Sequence, residues 1–528
     1  MADITLPGIT ANSPPGVYVY EQFVSGQAGP PTGVYSAIIL ANPTADGYLA
    51  SSVNGFVFGP NTLVSVQSVN DCINYFGAGS PIALMYAAFK SRNTTTPLFV
   101  APVGAATGTA ASQSFTVTAS GSPSQTTGVV QYSVDGKPPA QAVFAATDSA
   151  NTIAGNLATA INSNTNLPVT ATSSTNTVTV TAKVAGARGN NLLGFAQVAG
   201  GSGVTVSVTV PTRFTSGAGS DLTNYETTLN YLAGNGQRYY YYISEAGCDL
   251  IDGTTNAIPQ QVDATIALLA NPSPGIRQRA IFGSNDTVAH TANVTPALNF
   301  FRSEVVQLNQ LDLTAGEMAA TAAAVYSFGE SVPLSAGDVN WDNFGGDPQS
   351  SAQWAVPAPL NGSAPSASDI QTAIISGITP LKVIGGNSTC IVKRCTTAFI
   401  STLNSTPVLD LTITDAGKVT VADRFFDDLS SLIALRFPRM LISPDTESGA
   451  PPAGPGVVTP SKVQNTVLEV IATYNAQGLI DGAETAAGLV VQLNQVNTSS
   501  IGVLVPLFVA NLAHQYLING QCQSAVVV

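Results

Sequence analysis

Residues 79–102 read GSPIALMYAAFKSRNTTTPLFVAP, and the reading of this stretch decides the fold class. Ser80 before Pro81 is a helix N-cap followed by proline at the first helical position, where its missing N–H costs nothing. Ile82, Met85, Tyr86 and Phe89 then recur at helical spacing, and Leu98 to Val103 returns as a strand. Upstream, Val34 to Leu40 is a continuously apolar strand suited to a buried place in a sheet. Strand, helix, strand is the opening of a layered α/β unit.

Working outward, the first thirty residues carry Pro7, Pro14, Pro15, Pro30 and Pro31 around the alternating run Val17, Tyr18, Val19, Tyr20. Prolines on both sides keep this run out of a helix, so it reads as an extended arm with one strand. At Gly104 the composition turns to Ala, Thr, Ser and Gly and stays so to about Gly219. Phe115–Thr118, Val129–Val134, Thr177–Thr181 and Val204–Val210 alternate with period two, which predicts a β-rich insert. One amphipathic helix interrupts it, with Ile153, Leu157 and Ile161 on one face after Ser149.

From Asp221 helical patterns alternate with apolar strands. Tyr239–Ser244 and Ala280–Ser284 are the expected strands, with a helix marked by Val262, Ile266 and Leu269 between them. Thr314 and Glu317 form a capping box for a helix through Ser327. A second α/β domain is expected here. Beyond a Pro/Ser/Gly-rich loop at 356–368, the stripe Phe425, Phe426, Leu429, Leu432, Ile433 predicts a helix ending at Pro438, and Thr459-Pro460 caps another. Leu489–Leu493, Ile501–Val505 and Tyr516–Ile518 are expected strands, so the chain ends, as it begins, in an extended segment.

Length and composition bound the function. At about 150 residues per domain, 528 residues imply several domains. Charged residues are only 9%, against a usual share of about 25%, so Thr, Ser, Asn and Gln must cover the surface. Lys plus Arg total 18 and Asp plus Glu 31, a net charge of −13, and the longest basic run is Lys393-Arg394, which argues against nucleic acid as a partner. The opening residues lack a basic segment followed by an apolar one, and no apolar run approaches the ~20 residues that span a bilayer. The expectation is a soluble chain made in the cytoplasm, without membrane insertion.

Catalytic motifs are missing: there is no G-x-x-x-x-G-K-[ST], G-x-S-x-G or H-E-x-x-H. Gly217 and Gly219 match part of a dinucleotide fingerprint, but the third glycine is absent and a domain linker is the plainer reading. The two histidines are His290, which Asp286 would partner as a base or which sits solvated, and His514 among apolar neighbours. No close set of ligands for a metal is apparent, and no cofactor is expected. Asp423, Asp427 and Asp428 read as the solvated or partner-facing side of the Phe425 helix. The cysteines at Cys72, Cys248, Cys390, Cys395 and Cys522 fit neither zinc nor C-x-x-C redox spacing. Reduced packing residues and structural disulfides, between subunits included, both remain open for them, with Cys522 the most accessible.

What remains is two extended termini, edge-competent strands and a modular insert. A strand outside a folded body is either an aggregation hazard or a device for pairing with another copy, and the second reading is the more economical because both termini have this character. The residues Pro15-Gly16-Val17-Tyr18 with Glu21 resemble the opening of contractile-tail sheath proteins. The stretch 79–102, the insert from Leu167–Thr170 to Thr181–Asn190, Leu435–Arg439, and Gly456–Pro460 leading to Leu489–Val491 resemble the Mu-like branch of that family, in the right order over most of the chain. Residues 495–501 depart from it in carrying no charge.

The resemblance implies a non-enzymatic virion subunit, assembled in the host cytoplasm, that forms a helical lattice of identical copies around a tail tube. Baseplate and tail terminator proteins are implied as further partners. It implies a mixed α/β and β, multidomain fold: an arm at 1–24, core at 25–104, β-rich outer insert at 105–219, α/β middle domain at 220–385, second core part at 386–515 and an arm at 516–528. The two core parts would come together as one discontinuous domain. By analogy Val17 to Tyr20 and Tyr516, Leu517 and Ile518 would complete sheets in neighbouring subunits. Contraction would run from a metastable extended lattice to a shorter one and drive the tube through the host envelope. The rival reading is a secreted or surface β-rich binding protein of adhesin type.

Overall fold

The computed structural model describes residues 36–44, 63–104, 108–235, 237–247, 257–271, 275–309, 313–331, 356–357, 365–384, 389–392, 396–403, 406–408, 416–445, 456–495 and 499–509. Three bodies make up the described chain: an α/β body, an insert that interrupts it, and a C-terminal unit. The class is mixed α/β with several sheets, as expected.

A nine-stranded sheet runs through the α/β body in the order 356–357, 389–392, 379–384, 303–307, 279–284, 241–244, 37–41, 98–102, 64–65. The six strands from 379–384 across to 98–102 are mutually parallel, while the edge strands at either side run antiparallel. In chain order the parallel strands lie 2-1-3-4-5-6, so the winding reverses beside Ala37–Ala41. Strand side chains alternate between two cores. Ile39, Val100, Ile243, Ile281 and Val306 meet the helices Val69–Phe76, Pro81–Lys90 and Ala315–Ser331. Ile38, Leu40, Tyr242, Phe282 and Val305 meet Leu222–Gly234, Ala257–Leu269 and Val288–Val294 on the other face. Burial on both faces is why these strands read as unbroken apolar runs.

This topology joins what the sequence reading divided. Strands 37–41 and 98–102, assigned to the segment 25–104, share their sheet with strands from 220–385. The physical reason is the parallel register of Ala37–Leu40 with Tyr241–Ser244, a pairing across a long excursion that local periodicity does not carry.

The excursion is the insert, a sandwich of two four-stranded antiparallel sheets. One is ordered 204–206, 110–119, 177–185, 169–174, the other 212–213, 193–199, 128–134, 140–144. Phe115 and Tyr132 stack across it with ring centroids 5.5 Å apart. The helix Ala150–Ser163, capped by Ser149, adds Ile153, Leu157 and Ile161 to the same core.

The C-terminal unit packs Ala416–Arg436 against Pro460–Ala476, the Phe425 and Tyr474 rings meeting edge-on at 5.2 Å. Gly482–Ala487 leads into a hairpin, Val490–Leu493 with Ile501–Leu504.

Candidate functional site

Open parallel sheets place their functional crevice beyond the carboxyl ends of the strands, where the winding reverses. Here that point lies between Asn42, just past strand 37–41, and Glu245, just past strand 241–244. A cavity of ≈ 80 Å³ opens there, walled by Asn42, Asp135, Asp221, Glu245 and Asn285. Arg188, on the 3-10 turn Ala187–Asn191 of the insert, reaches into it. Its Nη2 donates to Asn42 Oδ1 and Asp221 Oδ2, stands 3.7 Å from Glu245 Oε1, and its guanidinium lies over the Tyr225 ring at 5.3 Å. Asp221 is the N-cap residue of Leu222–Gly234 but makes no side-chain cap bond, its carboxylate being turned to Arg188 instead. Asn42 is fixed in turn by its amide donating to Glu245 Oε2 at 2.7 Å and its Nδ2 donating to Val103 O at 2.8 Å. Burial raises the Glu245 carboxyl above its usual range against the pull of Arg188. The crevice that would take a ligand in such a fold is thus held by a side chain of the protein itself.

The opposite, amino-terminal edge of the sheet carries Arg238, Arg277, Arg279 and Arg302. These receive the C-terminal unit. Arg302 Nη1 donates to both oxygens of Asp423 at 2.7 Å, and Tyr240 donates its hydroxyl to Asp423 Oδ2 at 2.9 Å. Arg277 and Arg238 both pair with Asp427, the former at 2.7 Å. Arg279 donates to Thr420 Oγ1 at 2.9 Å and to Glu304 Oε2 at 3.2 Å, and Tyr326 and Thr379 close the Glu304 carboxylate from other sides. Burial by itself would raise Asp423, but the guanidiniums of Arg302, Arg277 and Arg238 hold its carboxyl below the ordinary value.

This corrects the reading of the Phe425 helix. Asp423 is 0% exposed and Asp427 pairs with two arginines, so neither is a solvated face. Asp428 accepts from the Tyr474 hydroxyl at 2.7 Å. The sequence held one signal for this: acids interleaved with Phe425 and Leu429 must share the buried side of a helix if both flanks are covered.

The hairpin Val490–Leu493/Ile501–Leu504 is a third feature. Among the described residues it pairs with no other strand. Val491, Ile501 and Val503 rest on the core formed by Val467, Val470 and Ile471.

Among the residues singled out from the sequence, Val17 to Tyr20, Tyr516, Leu517, Ile518, Cys248, Cys395, Cys522 and His514 lie outside the described residues. The backbone at Cys390 belongs to strand 389–392, paired on both sides by 356–357 and 379–384. Cys72 is a fully buried free thiol beside Phe76, pushed up by burial, which takes it out of the possible disulfides and leaves it a packing residue. His290 Nδ1 lies 3.1 Å from Asp286 Oδ1, half exposed on a helix capped by Thr287, and the same carboxylate faces Arg213 at 3.8 Å. Gly217 is a close-packed neighbour of Asn190, whose Oδ1 accepts from its amide at 2.8 Å. Among the described residues no group of three or more His, Cys, Asp or Glu is placed to hold a metal ion, and no helix is long and apolar enough to cross a membrane.

Fold and site together define a multidomain α/β protein whose switch-point crevice is filled by its own β-sandwich. No family model and no curated protein matches the sequence. Among solved structures, the chain is similar to the sheath tail protein Lin1278 of Listeria innocua at 11% identity, over 91% of this chain and 93% of that one, with a TM-score of 0.43. It is also similar to a chain of the anti-feeding prophage baseplate, at 10% identity over 97% and 100% of the two chains with a TM-score of 0.47. The anti-feeding prophage helical sheath in its contracted state gives 11%, the same two coverages and 0.45.

Proposed function

We propose that this chain is the sheath subunit of a contractile tail, of the Mu-like branch, and a structural rather than catalytic protein. The observation that carries the reading is the hairpin at 490–504. Two strands alone make a sheet that is marginal in water, and added strands would complete it. Residues 1–24 and 516–528, read from the sequence as extended arms, would supply those strands from neighbouring copies. Half a dozen backbone hydrogen bonds per added strand, each worth about 0.5–1.5 kcal/mol net, would link copies while the bodies slide and rotate. Two arms per copy multiply that link by avidity.

On this reading the copies form a helical lattice around a tail tube, meet baseplate and terminator proteins at its ends, and contract from a metastable extended state during host entry, within a virion assembled in the host cytoplasm. Cysteines other than Cys72 are available for bonds within or between copies. The filled crevice supports the non-enzymatic part, since the fold's usual ligand position is taken by Arg188.

Electron microscopy of the purified protein tests the proposal. Striated tubes or stacked rings are expected from the full chain, and their loss from a chain lacking residues 1–24. Normal contractile sheaths from that deletion would sink the arm argument, and monomers persisting with tube protein added would sink the function.

A further inference from the structure

The insert carries four cationic side chains, Lys137, Lys183, Arg188 and Arg213, and all four reach the α/β body. Lys137 pairs with Glu317, Arg188 with Asp221 beside Glu245, and Arg213 donates to Asn285 O at 3.1 Å beside Asp286. Lys183 Nζ donates to Ala78 O at 2.9 Å. The receiving acids come from separate places in the body: the first turn of helix 315–331, the cap of helix 222–234, and the ends of strands 241–244 and 279–284. The insert's own acids are Asp135 and Asp148.

Apolar packing does not cross this seam in the same way. The insert's hydrophobic cluster is made wholly of residues between Ala111 and Phe214, and neither cluster of the body includes any of them. The covalent connection is narrow as well. Chain entry and exit run side by side at Thr109 and Ala218, each donating its amide to the other's carbonyl at 3.0 Å. A cavity of ≈ 80 Å³ separates the two bodies at the centre of the seam.

We propose that the sandwich is a separately cored module that pivots about the Thr109/Ala218 neck, with the four cations as the latch that seats it in the switch-point crevice. A seam of self-contained cores joined by ion pairs resembles a transient interface more than a domain interior. The acid partners are mostly covered, Asp221 at 5% and Asp286 at 13%, while Arg188 at 15% and Arg213 at 31% leave a path by which salt acts, most on the Arg213 pair. Opening would expose Asn42, Asp221 and Glu245 and leave the sandwich folded. The inference stands on the seam alone and does not depend on sheath assembly.

The test uses the full chain at about 0.05 M and about 0.5 M NaCl, reading hydrogen exchange and limited proteolysis at the neck. Exchange at the Asn42 amide and cleavage near residues 104–108 should rise about tenfold with salt, and further in an Arg188→Gln, Arg213→Gln variant. Strands 128–134 and 177–185 should keep their protection throughout. Loss of protection in those strands together with the seam would overturn the proposal, as would wild-type exchange at Asn42 indifferent to salt. The wild-type series decides the matter if the variant fails to fold.

Discussion

Asp423 shows how much one residue does in a chain with few charges. It receives Arg302 and Tyr240 at the base of the sheet with no exposure to solvent. Removing one partner of a buried pair leaves the other charge uncompensated, so Asp423→Ala should cost about 3–5 kcal/mol in denaturant unfolding. Because its folded pKa is depressed, the stability it contributes is present above about pH 4 and is lost as pH falls through the folded value. Asp135 and Asp263 act in the opposite sense. Burial raises them to about 7 and about 8 respectively, so the folded chain holds protons that the unfolded chain has already released. Stability should therefore fall as pH rises from about 4 toward those values, by about 1.4 kcal/mol per pH unit for each group. Urea unfolding between about pH 5 and 8 should show a shallower slope in Asp263→Asn than in the wild type. The partners in these roles were not legible in the sequence. Periodicity placed Asp423 on a helix, but its partners arrive from Arg302 and Tyr240, on other elements far along the chain.

At the scale of elements the sequence was a better guide, because caps and periodicities are local. Ser80, Ser149 and Thr459 each accept from the backbone three residues on, and Thr314 and Glu317 exchange the two bonds of a capping box. Ser80→Ala should lower stability by about 1 kcal/mol. Gly79→Ala, one residue earlier, should cost more. Its φ is +71°, and an added Cβ would stand 2.2 Å from the carbonyl oxygen of Leu167 in the insert. Denaturation midpoints of the two variants check the order. Glu317 had a second use that no motif announced: the oxygen not spent on the cap receives Lys137 of the insert. The strands of the α/β body were readable as strands, yet not as neighbours, since pairing is a relation between distant segments.

For the whole molecule, separate hydrophobic clusters imply separate transitions. The sandwich cluster, the two sheet faces and the C-terminal cluster around Phe425 and Tyr474 are distinct, although the two sheet faces share strands and must melt together. Calorimetry should give a calorimetric enthalpy larger than the van't Hoff value, with the sandwich melting apart from the α/β body. A single two-state transition would show that the seams are tighter than their chemistry suggests.

The place of strand 37–41 between 98–102 and 241–244 has a consequence for synthesis on the ribosome. One flank is made early, but the other does not exist until the whole sandwich has been translated. At bacterial or eukaryotic speeds of about 5–20 residues per second, a fully apolar strand edge waits on the order of ten seconds for its neighbour. The sandwich, whose hydrophobic cluster is made of its own residues, can fold during that wait. A chain truncated after residue 104 would keep that edge for good, and should aggregate when expressed alone while one reaching past residue 384 should not.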